Sequence, residues 1–218
     1  MIKATYIDHM GTDLSVVNAA RVSFGKKSTW AGQEDGLDDG EGGMGVLNGA
    51  DSKLINYLAK HKHISPFGHA FASFHVKAPV FVARQLVKHK FLRWNEISRR
   101  YVDDEPEFFV PDVWRGRSAD KKQGSDGEVK LGTLDAAIVS DSPYDALSAY
   151  KALLKSGVAP EMARMVLPQS TMTEWYWSGS LDAFADMCNL RCKPDTQAET
   201  REVANQIDRK MLELFPVS

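Results

Sequence analysis

Residues 70–77 read AFASFHVK, and apolar and polar side chains alternate along this segment. The apolar residues from Ala70 to Val76 share one face, and serine, histidine and lysine lie on the other. A period of two residues is typical of a β-strand with one face in the core. Residues 171–177 also alternate, and residues 2–7 are expected to form a further short strand.

Helical patterns are interspersed with these strands without a regular β-α-β rhythm. The order favours an α+β fold in a single domain, with a mixed, largely antiparallel sheet and helices packed on it. The sequence predicts helices from Asp13 to Arg21, from Asp51 onward, from Val80 to His89, from Pro143 to Ser156, from Pro160 to near Pro168, from Ser180 to Leu190, and from Asp195 through Leu214.

Composition limits the classes of protein that this chain can represent. Its 218 residues, 43% hydrophobic and 26% charged, suit one soluble domain. The net charge of −2 gives no overall attraction to nucleic acid or acidic membranes, so an anion site requires local clusters of basic residues. No apolar run is long enough for a signal peptide or a membrane span, and two cysteines are too few for a disulfide framework. We therefore expect a cytoplasmic protein.

Two segments are expected to be surface insertions. They are residues 29–50, which are rich in glycine and acidic residues, and the hydrophilic residues 113–142.

The densest cluster of charge is residues 88–101, KHKFLRWNEISRRY, in which five lysines and arginines surround Glu96. Arginine offers planar, bidentate donors to phosphate, so the segment fits a phosphate-binding loop. Charge runs are also common on solvated surfaces. Aromatic residues between the basic ones would suit a groove for single-stranded nucleic acid. Charge alone leaves these three interpretations open.

The same segment resembles the signature of the flavin-dependent thymidylate synthases. The positions in register with that signature are His89, Asn95, Glu96, Ser98, Arg100 and Tyr101. Lys88 and Lys90 stand where the family has arginine, and Arg93 stands where it has serine. Further stretches that resemble the family, in the family's order, are 18–24, 63–69, 74–79, 83–85, 163–168 and 189–191. The resemblance covers nearly the whole chain outside 29–50 and 113–142.

This resemblance implies a methyltransferase that converts dUMP to dTMP. In the family, methylenetetrahydrofolate donates the carbon, reduced FAD supplies the hydride, and NADPH restores the flavin. The protein itself binds and orients these groups. The resemblance also implies a non-Rossmann flavin site and a homotetramer with shared active sites, with small-molecule substrates and no stable nucleic acid or membrane partner.

Individual roles follow from matched positions. Arg191, in the matched stretch 189–191, is expected to be catalytic, with its guanidinium against the uracil edge. The residues expected to bind dUMP are Arg84, Gln85, Lys88, Glu96, Ile97, Ser98, Arg99, Arg100, Arg164 and Arg191. The residues expected to bind FAD are Ser23, His63, Ser65, Lys88, His89, Lys90, Glu96, Ser180, Leu181, Asp182 and Asp186. The chain departs from the family at Asp186, where asparagine is usual, at Asp195, where histidine is usual, and at Gly68, which replaces a glutamate.

Three other patterns in the sequence resemble chemical motifs. Several histidines lie between positions 61 and 89, but zinc-ligand spacing is missing and no metal is expected. Residues 40–45 match a dinucleotide fingerprint by chance, because an acidic loop rather than a strand precedes them. Cys188 and Cys192 are interpreted as thiols at a helix end, not as nucleophiles.

Two other functions are compatible with the sequence. One is a related flavin enzyme that acts on a different pyrimidine nucleotide or delivers a hydroxymethyl group. The other is a non-enzymatic binder of nucleotides or single-stranded RNA. Product analysis separates the first from a thymidylate synthase, and a flavin absorption band in the purified protein would argue against the second.

Overall fold

The computed structural model describes residues 1–32, 45–102, 104–119 and 124–218. In this part of the chain, a four-stranded sheet has the order β1-β2-β6-β3, and every neighbouring pair is antiparallel. A separate hairpin pairs two further strands, β4 and β5. The strands are β1 (Lys3–Met10), β2 (Phe71–Pro79), β3 (Arg93–Glu96), β4 (Arg115–Arg117), β5 (Ser125–Glu128) and β6 (Met172–Ser180).

Helices pack against this sheet and connect its strands. The α-helices are α1 (Asp13–Arg21), α2 (Gly49–Lys60), α3 (Val80–Leu86), α4 (Thr133–Lys155), α5 (Pro160–Ala163), α6 (Leu181–Arg191) and α7 (Ala198–Leu214). The predicted α+β fold with a largely antiparallel sheet in one domain is confirmed. No helix of the described residues is long and apolar enough to cross a membrane.

The centre of the sheet is the pair β2 and β6, and its inner face is aromatic. Phe74 pairs with Trp177 across the two strands, and Val76 pairs with Trp175. All four side chains are at most 1% exposed. The ring of Phe184 on α6 meets Phe74 edge-on at 5.3 Å between centroids. The alternation in residues 70–77 therefore predicted the central strand and its buried face correctly.

The predicted start of α4 is wrong, because the helix begins at Thr133 and not at Pro143. Proline is favoured in a first helical turn, which suggested a start there. Inside a helix, proline has no N–H to donate to the carbonyl four residues earlier, here that of residue 139, and its ring crowds the same carbonyl. Pro143 is nevertheless buried, and the residues before it are helical. The burial of Pro143 therefore compensates for the missing hydrogen bond.

The predicted cap of α7 is also wrong. Gln197, not Asp195, occupies the N-cap position, and α7 begins at Ala198. The chain turns first after Pro194, with the amide of Thr196 bonded to the carbonyl of Lys193 at 3.0 Å. That turn takes up the residues that were expected to begin the helix.

Two other helix boundaries differ from prediction. α2 begins at Gly49, because the Asn48 side chain accepts hydrogen bonds from the amides of Ala50 and Asp51. Asp51 is fully buried and pairs with Arg21 on α1. α3 ends at Leu86 rather than His89, since the chain turns there.

Part of two predicted regions lies outside the described residues. The chance dinucleotide pattern at 40–45 falls there except for its last glycine. Within 113–142, the described residues form β4, β5 and the first turns of α4. The identification of 29–50 and 113–142 as insertions stays a prediction.

Candidate active site

A cavity of about 430 Å³ opens beside β3 and β6, and basic side chains line it. Five residues predicted to bind dUMP meet there from three parts of the chain. Arg84 comes from α3, Arg164 from the turn that follows α5, and Glu96, Ile97 and Arg99 from the end of β3 and the loop after it. The structure thus brings together residues that lie 80 positions apart in sequence, between 84 and 164.

The three arginines of this cavity keep their positive charge available. Arg99 donates to the backbone carbonyl of Asp104 at 2.7 Å, and Arg164 donates to that of Glu161 at 3.2 Å. Among the described residues, none of the three arginines forms an ion pair with a carboxylate. Backbone carbonyls orient a guanidinium without neutralising it, so the cavity suits a ligand that carries a phosphate.

Glu96 is held in a fixed orientation at the wall of the cavity. The hydroxyl of Thr173 donates to one carboxylate oxygen at 2.6 Å, and the indole N–H of Trp94 donates to the other at 3.1 Å. Trp94 is itself stacked on Trp175, with ring centroids 4.3 Å apart. Each carboxylate oxygen has more than one lone pair, so Glu96 can still accept a hydrogen bond from a ligand hydroxyl.

Arg191 lies at the end of α6 in a second group of residues, outside that cavity. Its Nε donates to Nε2 of His89 at 3.1 Å, and a terminal nitrogen donates to the backbone carbonyl of Gln85 at 3.1 Å. The Gln85 side chain donates in turn to the side-chain oxygen of Gln197 at 2.6 Å. The guanidinium is therefore fixed by two neutral acceptors from the region of α3.

The electrostatics of this pair favour a charged arginine and a neutral histidine. Burial lowers the pKa of His89, the positive charge of Arg191 lowers it further, and Asp186 opposes both effects. A neutral imidazole can accept the hydrogen bond from Arg191, which a protonated ring cannot. Burial also lowers the pKa of Arg191, but arginine stays protonated at any physiological pH. The half-buried guanidinium therefore carries an unneutralised charge.

The remaining residues predicted to bind dUMP do not line the cavity. Lys88 is exposed on the turn after α3. Arg100 contacts the Ser98 hydroxyl at 3.4 Å, and its guanidinium lies 5.0 Å from the Tyr101 ring centre. The predicted nucleotide residues therefore divide into the cavity group, the Arg191 group and this exposed loop.

The residues predicted to bind FAD also fall into separate groups. Ser23, His63 and Ser65 line a second cavity of about 620 Å³, whose other walls include apolar side chains of α1 and α2. Tyr57 is stacked parallel to His63, with centroids 6.1 Å apart. The other residues are Lys88, His89 and Lys90 after α3, Glu96 at the end of β3, and Ser180, Leu181, Asp182 and Asp186 at the start of α6. Neither the arginine-lined cavity nor this second cavity is lined by residues of both sets.

These residues have the chemistry that FAD requires. The second cavity combines apolar walls for a ring with hydroxyl and imidazole groups. One oxygen of Asp182 is buried and has no hydrogen-bond donor among the described residues, so a ligand hydroxyl or amino group could satisfy it. Lys88 and Lys90 are exposed and can neutralise a diphosphate. The four-stranded sheet of the described chain is antiparallel throughout and contains no Rossmann unit.

The sequence did not reveal which residues orient the predicted ones. Thr173 and Trp94 fix Glu96, and Gln197 fixes Gln85. The alternation of residues 171–177 was a signal that Thr173 shares a face with Trp175. Nothing in the sequence indicated that this face meets Glu96.

The cysteines are unsuited to act as nucleophiles. Burial raises the pKa of the Cys188 thiol far above its usual range, and the nearby negative charge of Asp208 raises it further. Burial and Asp208 also raise the pKa of Cys192. Because the thiolate is the reactive form, neither residue provides a nucleophile at neutral pH.

Comparisons with known proteins identify relatives of this chain. The family described as "Thymidylate synthase complementing protein" matches residues 5–217. The flavin-dependent thymidylate synthase of Thermus thermophilus is 40% identical over 212 residues, which cover 97% of this chain and 72% of that protein. The enzyme of the same name from Thermosipho melanesiensis is 37% identical, over 96% of this chain and 85% of its own length.

Solved structures of a UMP/dUMP methylase, PolB from Streptomyces cacaoi, have a similar fold. The one with bound 5-Br dUMP aligns with a TM-score of 0.80 and 33% identity, over 100% of this chain and 92% of PolB. The one with bound 5-Br UMP aligns with a TM-score of 0.77 and 32% identity, over 100% of this chain and 91% of PolB.

Proposed function

The chain belongs to the flavin-dependent thymidylate synthase family, and from this premise we propose that it converts dUMP to dTMP by reductive methylation. Family membership makes it an enzyme, a methyltransferase that uses a flavin, and excludes the non-enzymatic binder. The proposal adds the specific substrate, methylenetetrahydrofolate as carbon donor and NADPH as reductant.

One observation carries the proposal, namely the cavity in which Arg84, Arg99 and Arg164 face a fixed Glu96. Arginines without carboxylate partners are suited to a phosphate dianion. A carboxylate held by Thr173 and Trp94 is suited to accept a hydrogen bond from a sugar hydroxyl. Together they match the two polar ends of a nucleoside monophosphate outside its base.

Arg191 is the residue that we assign to the base. Methylation at C5 requires an electron-rich uracil, and negative charge then develops on the ring nitrogen and carbonyl oxygens. A fixed guanidinium beside these atoms stabilises that charge. Because its partners, His89 and the Gln85 carbonyl, are neutral, the full charge of Arg191 is available to the ring.

Bound FAD supplies the hydride that completes the methyl group. Ser23, His63 and Ser65 would bind one part of the cofactor, and Asp182 would accept a hydrogen bond from it. Lys88 and Lys90 would contact its phosphates as point charges, since lysine lacks the fork of arginine. The chemistry needs no protein nucleophile, in agreement with the raised pKa of both thiols.

A homotetramer with shared sites accounts for the separation of these groups within one chain. A ligand bound between protomers could contact the arginine cavity of one and the Arg191 group of another. Large apolar side chains are exposed near both groups, including Phe91 at 75% and Met165 at 72%. We further propose that the enzyme works in the cytoplasm, where its two free cysteines stay reduced.

The test is a product analysis with purified, FAD-loaded enzyme. With dUMP, methylenetetrahydrofolate and NADPH, mass spectrometry should detect dTMP, and omission of any one component should abolish multiple turnovers. A hydroxymethylated nucleotide as the main product would instead support the related hydroxymethylase. Flavin-loaded enzyme that leaves dUMP unchanged would contradict the proposal.

A second candidate substrate is UMP, because the similar PolB structures include one with bound 5-Br UMP. The arginine cavity binds phosphate and does not by itself distinguish ribose from deoxyribose. Competition between equal concentrations of dUMP and UMP, followed by mass spectrometry of both methylated products, separates the two candidates.

A further inference from the structure

Outside the proposed active site, two thiols and a carboxylate come together between α6 and α7. Cys188 and Cys192 lie four residues apart, so they share one face of α6. Asp208 reaches them from α7, which packs against α6. The two sulfur atoms and a carboxylate oxygen of Asp208 all lie within 4.8 Å of one another. This group, Cys188, Cys192 and Asp208, is here named the thiol cluster.

The spacing of the thiol cluster is close to that of a tetrahedral metal site. Bonds of about 2.3 Å to sulfur and about 2.0–2.2 Å to oxygen place ligand atoms roughly 3.5–3.8 Å apart around zinc. No spacing in the cluster exceeds this range by more than about 1 Å. Cys192 and Asp208 are only half-buried, so side-chain rotation can close the difference while the helices stay in place.

The charges around the cluster also favour a cation. Asp208 has no ion-pair partner among the described residues. Arg191 precedes Cys192 directly, but its guanidinium donates to His89 and Gln85. Within the described part of the chain, the carboxylate therefore lies beside two polarisable sulfur atoms and has no cation in ion-pair contact.

We propose that the thiol cluster binds a thiophilic divalent cation of the Zn²⁺ or Cd²⁺ class. Binding releases the two thiol protons to solvent, so that two thiolates and one carboxylate coordinate the ion with a net charge of −1. Water takes the fourth position, because the half-buried Cys192 and Asp208 leave access from solvent. The bound ion links the last turn of α6, which carries Arg191, to α7.

The experiment is a cadmium titration of the full, FAD-loaded chain after reduction, chelation and gel filtration. Thiolate–cadmium bonds give a charge-transfer band in the ultraviolet, and Cys188 and Cys192 are the only cysteines of the chain. The band therefore reports on this cluster alone. We expect it to saturate at one cadmium ion per chain.

Two variants test the ligands, and a third is the matched control. Cys192→Ser should lose about half of the band, since one of two thiolates is removed, and Asp208→Asn should keep the band but bind cadmium more than tenfold more weakly. Glu202→Gln removes an exposed carboxylate from the same helix and should behave like the parent. Cys188 is left unchanged, so that the band of Cys192→Ser reports on one remaining thiolate.

A thermal measurement gives a second, independent readout. Zn²⁺ should raise the Tm of the parent and of Glu202→Gln, because a ligand that binds only the folded chain stabilises it. It should raise the Tm of Asp208→Asn less than that of the parent at the same Zn²⁺ concentration, while circular dichroism shows that this variant is folded. A parent without a charge-transfer band, or an Asp208→Asn chain that binds cadmium as tightly as the parent, overturns the proposal.

Discussion

Replacing Arg191 by alanine should remove most of the activity while FAD still binds. In the structure the guanidinium is fixed at two points, at 3.1 Å from His89 and at 3.1 Å from the Gln85 carbonyl. The substitution removes the only group that we assign to the developing charge on uracil. It changes none of the residues that line the two cavities.

The expected loss follows from what the side chain contributes. Removing one preorganised group that stabilises a transition-state charge typically lowers the rate about 100- to 1,000-fold, or about 2.7–4 kcal/mol. The fold should lose less, because each neutral hydrogen bond contributes about 0.5–1.5 kcal/mol and the site is half open to water. Arg191→Lys keeps the charge but replaces the planar fork of donors with a single ammonium nitrogen, so its activity should lie between the parent and alanine.

The assay compares single-turnover dTMP formation with flavin content measured by absorbance. Arg201→Ala is a matched control, since Arg201 is also half-buried and donates to a backbone carbonyl, that of Pro194 at 2.6 Å. The control should retain near-parental turnover. If Arg191→Ala also forms dTMP at a near-parental rate, Arg191 does not stabilise the uracil anion and our assignment is wrong.

Three further outcomes are expected. Cys188→Ser and Cys192→Ser, singly or together, should still form dTMP, and loss of the reaction in a folded variant would require a nucleophilic mechanism. Lys88→Arg with Lys90→Arg should bind FAD as tightly as the parent or more tightly in a flavin titration; a loss of more than about tenfold, ~1.4 kcal/mol, would mean that these lysines do not occupy the family's flavin positions. Because the pKa of His89 is lowered in the folded chain, the unfolded chain protonates this histidine first as the pH falls below 6.5. Neutral His89 therefore contributes fully to the free energy of unfolding above pH 6.5, and that contribution is lost between pH 6.5 and the lowered pKa of the folded state. Urea unfolding at several pH values should show a smaller loss of stability over this range in His89→Gln than in the parent.

Features set by local chemistry could be predicted from the sequence. The alternation of residues 70–77 located the central strand, because apolar residues at every second position share one face only in a strand. Within the final helix, Val203, Ile207 and Met211 form a buried stripe as expected. Basic residues matched to the family located three arginines that share a cavity.

Features that depend on distant contacts could not be predicted. Pro143 indicated a helix start, but its burial lets α4 run through it. Thr173 meets Glu96 across 77 positions, and Gln197 meets Gln85 across 112. Asp208 approaches Cys188 only because α7 packs on α6. Such pairings depend on how helices and strands pack together, and the spacing of residues within one segment does not predict them.

The most direct test of the proposed reaction is a single turnover with enzyme-bound FAD reduced chemically beforehand and without NADPH. The reaction mixture contains dUMP and methylenetetrahydrofolate, and both the flavin spectrum and the nucleotide mass are followed. If the proposed reaction occurs, the oxidised flavin band returns as dTMP forms, with one dTMP for each FAD oxidised. Flavin that stays reduced while dUMP is recovered unchanged, in folded enzyme with both substrates present, would contradict it.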